Sequence, residues 1–103
     1  MSTTHVVARE LMAPEELGLE SRVEFRRAAN ALLEMLPEGS GQLVLNLAGT
    51  RRVDSAGLGA LMLIQRRASE RRQSVVLRGA SDEVRFLLVL TKLDDLFLLE
   101  DIS

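Results

Sequence analysis

Leu43-Val44-Leu45-Asn46-Leu47 is followed, after a short gap, by Arg52-Val53-Asp54-Ser55-Ala56-Gly57-Leu58-Gly59. The first segment is a nearly unbroken apolar run, as expected of a strand covered on both faces. Asn46 is its one polar residue. The second segment leads into a helical pattern over 57–72. Together they read as strand, short connection, helix. A helix start leaves backbone N–H groups unpaired and carries a partial positive charge. An anion fits there, and so does a hydroxyl that can be converted into one. Ser55 stands at that start, which is the outline of a phosphorylation switch.

Outward from this junction the pattern alternates. A first strand is expected over 5–11, where Val6 and Val7 are most apolar and Arg9 and Glu10 interrupt. Pro14-Glu15-Glu16 reads as a connection or a helical first turn. A helix is predicted over 20–36, with Val23, Ala28, Ala31, Leu32 and Met35 as its core stripe. Phe25, Leu33 and Leu36 flank that stripe. Pro37 and Gly39 end the helix. The helix over 57–72 is apolar almost all round in its first half and charged in its second. That leaves Met62, Leu63 and Ile64 as candidates to face a partner. Its Arg66-Arg67 and Arg71-Arg72 pairs are a solvated face or a contact for an acidic or anionic surface. A strand follows over 74–77. A third helix over 81–91 has Ser81 as its N-cap, with Asp82 and Glu83 in the first turn. A last strand is expected over 96–99.

This order predicts one α/β domain over residues 1–103. It has a mostly parallel, or mixed, four-stranded sheet packed with about three helices. Ligand sites in such sheets lie at the carboxyl ends of the strands, where Asp54 and Ser55 fall.

The chain has 103 residues, 47% of them hydrophobic, so a folded core is expected. With only Phe25, Phe86 and Phe97 as aromatics, that core must be Leu, Val, Ala and Met. A net charge of -2 argues against a dedicated nucleic-acid binder. The absence of cysteine excludes disulfides, thiolate metal sites and a Cys nucleophile. No signal-peptide pattern and no bilayer-length apolar run is visible, so a cytoplasmic domain without membrane insertion is expected. With one His, at position 5 and without an assigned role, no activating base is placed near Ser55. Walker and dinucleotide motifs are absent. A non-enzymatic domain without cofactor or metal is the expectation.

Asp54-Ser55-Ala56-Gly57-Leu58-Gly59, set between a Leu/Val strand and a helix, resembles the signature of STAS domains, in particular bacterial anti-sigma factor antagonists. The stretch from Val84 to Phe97 is similar to that family's closing helix, turn and final strand. The resemblance implies that Ser55 is phosphorylated by a partner serine kinase, itself the anti-sigma factor. It places the partner on Asp54, Ala56, Gly57, Leu58, Gly59 and Met62. Two departures stand out. Residues 12–19 lack the usual Gly-Glu-Leu-Asp-like turn, and Lys92 stands where the family has Gly before the last strand. The first keeps a different reading open: a STAS accessory subunit of a membrane phospholipid ABC transport complex, docking on an ATPase or permease.

Each residue at the junction also has a plain structural reading. Ser55 would N-cap the helix, its oxygen accepting from Gly57 or Leu58 N–H. Asp54 would cap or fix the loop. Gly57 and Gly59 serve either close packing against the sheet or a bare surface open to a partner.

Overall fold

Four parallel strands carry the fold of the computed structural model, which describes residues 7–101. β1 (Ala8–Met12), β3 (Gln42–Asn46), β5 (Ser74–Arg78) and β6 (Leu98–Glu100) lie side by side in that order. Between them run α1 (Arg22–Met35), α2 (Ser55–Glu70) and α3 (Asp82–Leu90). Two-residue strands β2 (Glu16–Leu17) and β4 (Arg52–Val53) pair with each other in parallel. His5 and Val6 of the expected first strand lie outside the described residues.

Right-handed crossovers between strands laid down in sequential order place every helix on the same face. The core agrees. Leu43, Leu45, Val75 and Leu77 join Phe25, Ala29 and Leu33 of α1, Leu61 and Ile64 of α2, and Val84 and Leu88 of α3 in one cluster. The strand read over 43–47 is buried on both faces, Val44 included, although Val44 and Val76 lie on the second face, outside the helix-packed cluster.

That second face explains Asn46. Its Nδ2 donates to Glu10 Oε2 at 2.7 Å, and Arg78 donates to Glu10 and to Glu100 at 2.6 Å each. The Glu100 hydrogen bond comes first among the causes that hold the Arg78 guanidinium above its usual range. One ionic ladder thus ties all four strands, beside Val44 and Val76, which remain buried.

The core stripe of α1 is also corrected. The buried row is Phe25, Ala29 and Leu33, with Leu36 just beyond, whereas Val23 and Met35 are 46% and 62% exposed. Both rows fit a 3.6-residue period. The one that wins contains the aromatic ring, which has most area to bury, and Ala29, which lets the helix approach the sheet. Nor is Met a core residue among the described residues: Met12, Met35 and Met62 are all exposed.

Helix ends account for two more features. Gln73, buried, donates from Nε2 to the carbonyls of Leu33, Leu36 and Pro37, serving the end of α1 from forty residues away in the chain. Lys92 takes φ 60° and closes α3, with Leu93 N–H donating to Leu88 O at 2.8 Å. The fold therefore keeps the left-handed turn without its Gly, at a cost of about 1 kcal/mol. Pro14-Glu15-Glu16 is no helical turn: Glu16 begins β2.

Candidate functional site

The junction sits where β4 ends and α2 begins, and Asp54, not Ser55, is the N-cap. Its Oδ1 accepts from Gly57 N–H at 2.9 Å. The reading of Asp54 as a cap or loop anchor holds, the alternative Ser55 cap does not form, and the helix starts at Ser55 rather than Gly57. Adjacent Asp and Ser are equally good caps. The choice fell to Asp54 because its second oxygen has work to do: Oδ2 accepts from Leu19 N–H at 3.3 Å. One carboxylate thus ties the start of α2 to the loop that opens α1. Ser21 steadies the same loop, donating to Glu16 O at 2.8 Å and accepting from Gly18 N–H at 3.1 Å.

Gly18 is part of this arrangement. A Cβ there would come within 2.3 Å of Asp54 Oδ2. The sequence signal was present, a Gly three residues before a Ser at a helix start, but only the fold shows that Asp54 fills the space.

These contacts hold the Asp54 carboxyl below its usual value of 3.8, the Gly57 N–H being the largest cause. A depressed folded-state pKa stabilises the fold above the unfolded pKa, and the contribution is lost as pH falls through the folded value. Asp54→Ala should therefore lower stability near neutral pH, since it removes the N-cap of α2. The difference from wild type should shrink below about pH 4. Urea melts at the two pH values check this, and a difference that persists in acid would remove the carboxylate from the explanation.

Ser55 is left exposed as the first helical residue. Its Oγ enters none of the side-chain hydrogen bonds among the described residues, so it is not engaged in holding the fold. Ala56 is half-buried. Leu58 is half-buried and packs on the core.

The two glycines separate. Gly57 is buried, and a Cβ on it would meet Leu17 O at 2.1 Å; Gly59 is open, with nothing within 4 Å. Close packing explains the first and a bare surface the second. The accessible part of the junction is therefore Asp54, Ser55, Ala56 and Gly59. It continues along α2 through Met62 and Leu63, 41% and 39% exposed, whereas Ile64 is fully buried.

Among the described residues no group of three or more His, Cys, Asp or Glu could hold a metal ion. No described helix is long and apolar enough to cross a membrane.

A family model described as Mlab, STAS domain, matches residues 8–100. Among solved structures, the chain is similar to the Thermotoga maritima protein TM1081, a proposed anti-sigma factor antagonist. To its crystal structure it is 24% identical, over 95% of this chain and 84% of that one, with a TM-score of 0.78. To its NMR structure it is 23% identical, over 98% and 85%, with a TM-score of 0.76. A sulfate transporter family protein from Wolinella succinogenes is 18% identical over 92% and 75%, with a TM-score of 0.66. At these identities the likeness carries the fold. No curated protein matches the chain.

Proposed function

The chain belongs to the STAS domain family, and from that premise we propose that it is an anti-sigma factor antagonist switched by phosphorylation at Ser55. The observation that carries this reading is the exposed, unengaged Ser55 hydroxyl at the start of α2, with the capping role already filled by Asp54. A hydroxyl that caps would have to leave its N–H partner to react; this one does not.

In this reading the unmodified domain binds an anti-sigma factor serine kinase through Asp54, Ser55, Ala56, Gly59 and Met62, and the sigma factor is released. Gly57 and Leu58 act from beneath, by placing the helix. The kinase then transfers the γ-phosphoryl group of ATP. Ser55 Oγ forms the new P–O bond, ADP leaves, and the hydroxyl proton passes to the kinase. The domain gains about -1.5 to -2 charge at that point. Because Asp54 already occupies Gly57 N–H, the phosphate is not drawn down onto the helix start. It stands out toward the partner, beside a carboxylate of like sign, and the complex separates. The domain is a substrate and a binding module, without cofactor or catalysis of its own, acting in the cytoplasm.

The TM1081 likeness supports this reading. The sulfate transporter family neighbour favours a second one, an accessory subunit docked on a transporter ATPase or permease, in which α2 is the contact and Ser55 stays unmodified.

Incubation with an anti-sigma factor serine kinase and ATP, followed by mass spectrometry, decides between them. One phosphate is expected, on Ser55, and none on Ser55→Ala. Phosphate on Ser69, Ser74 or Ser81 instead would refute the assignment.

A further inference from the structure

Beyond the junction, α1 and α2 enclose a groove that the switch does not use. Arg26 and Asn30 of α1 face Leu63, Arg66 and Arg67 of α2 across it. On its α1 side the groove continues past Val23 and Arg27. Three features characterise it.

Its charge is not neutralised. Elsewhere Arg51, Arg52, Arg71, Arg78 and Arg85 each pair with a carboxylate, while Arg9, Arg22 and Arg72 form no ion pair among the described residues. Arg26, Arg27 and Arg66 have no such partner among the described residues, and Arg67 reaches Glu34 only at 3.7 Å. Glu34 and Glu70 on the rim leave four arginines against two carboxylates. Two apolar side chains lie along it, one at each part: Val23 and Leu63 are 46% and 39% exposed. At its floor, Asn30 Oδ1 is buried without a hydrogen-bond donor, an arrangement that native folds rarely leave unanswered.

We infer that this groove receives an acidic amphipathic helix from a partner protein. Apolar side chains of that helix lie on Val23 and Leu63, and its carboxylates meet the arginines. Arginine forks suit carboxylates well. A lipid surface would answer the charge but is flat, whereas these arginines line a groove between two helices. The inference rests on the domain being a protein-binding module and is independent of phosphorylation. Ser55 lies eleven residues up α2 from Arg66, about 16 Å at 1.5 Å per residue, twice the screening length of about 8 Å at physiological salt.

The test is a titration of the full chain, isotopically labelled, with a synthetic Glu/Leu amphipathic helical peptide, followed by amide shifts. Shifts are expected at Arg26, Asn30, Leu63 and Arg66, with affinity falling as salt rises. Arg26→Glu with Arg66→Glu should weaken binding about tenfold, and both positions are at the surface, so circular dichroism should be unchanged. Arg26→Gln with Arg66→Gln, which keeps size and removes charge, should give a smaller loss in the same direction. Ser55→Asp should leave peptide affinity within about twofold. A peptide of equal charge without the apolar stripe should bind more weakly. Equal binding by that peptide, shifts scattered outside the groove, or arginine-dependent binding to vesicles of equimolar phosphatidylglycerol and phosphatidylcholine in preference to the peptide would each overturn the inference. Loss of partner binding by Ser55→Asp with peptide binding intact would leave both readings standing, and intact partner binding would refute the switch alone.

Discussion

Ser55→Asp should weaken the complex with an anti-sigma factor kinase by about thirty-fold or more, while Ser55→Ala binds as wild type does. The size follows from where the charge goes. A carboxylate placed without a partner in a desolvated contact costs roughly 2–5 kcal/mol, and each 1.4 kcal/mol is a factor of ten. The fold should not register the change. Asp54 caps α2, so losing the Ser55 hydroxyl removes no hydrogen bond. An acidic residue in the first turn is, if anything, favourable to the helix. Thermal melts of both variants should therefore match wild type within about 0.5 kcal/mol, and calorimetry then reads binding alone. Gly59→Arg supplies a control by bulk: its position is open, so the fold should survive and the partner should be lost. Equal affinity for all three would move the contact surface off this junction.

The alternation of strands and helices was legible because each long element carries its own period. The helix boundaries came within a few residues, and the capping role read for Ser81 holds: its Oγ accepts from Val84 N–H at 3.2 Å, with Asp82 and Glu83 in the first turn. What stayed hidden is non-local. β2 and β4 have two residues each, too few to show a period, and exist only because residues distant in sequence meet. Asp54 and Ser55 could both cap, and the deciding contact comes from Leu19, thirty-five residues away. Asn46 looked like an irregularity in an apolar strand until Glu10, Arg78 and Glu100 were brought beside it. The arginine pair at 66–67 was visible, but not that Arg26 and Asn30 face it. The candidate site was proposed from its residue types; which of them cap, pack or stay exposed required the fold.

That division is clearest at the two glycines, and substituting each by Ala should move stability in opposite directions. In an exposed helix interior, Gly→Ala stabilises by about 1 kcal/mol through backbone entropy. Gly59→Ala should show that gain, since nothing lies within 4 Å of the added methyl. At Gly57 the same methyl would meet Leu17 O at 2.1 Å, Leu17 C at 2.8 Å and Val53 Cγ1 at 3.0 Å. The first two are backbone and cannot rotate away, so α2 must lift from β2. Overpacking of this kind costs about 1–3 kcal/mol, which should outweigh the entropic gain. The same Leu17 carbonyl accepts from Asp54 N–H at 3.2 Å, so lifting the helix also loosens the cap. Gly57→Ala is therefore expected to lower stability and to blunt phosphorylation of Ser55 without altering any exposed atom, because the hydroxyl is presented by the helix that Gly57 seats. Urea melts and a timed kinase assay measure the two effects. An equal gain in stability at both positions would mean that α2 does not rest on Leu17. Stability lost at Gly57 with phosphorylation unchanged would mean that the seating of α2 matters to the fold but not to the presentation of Ser55.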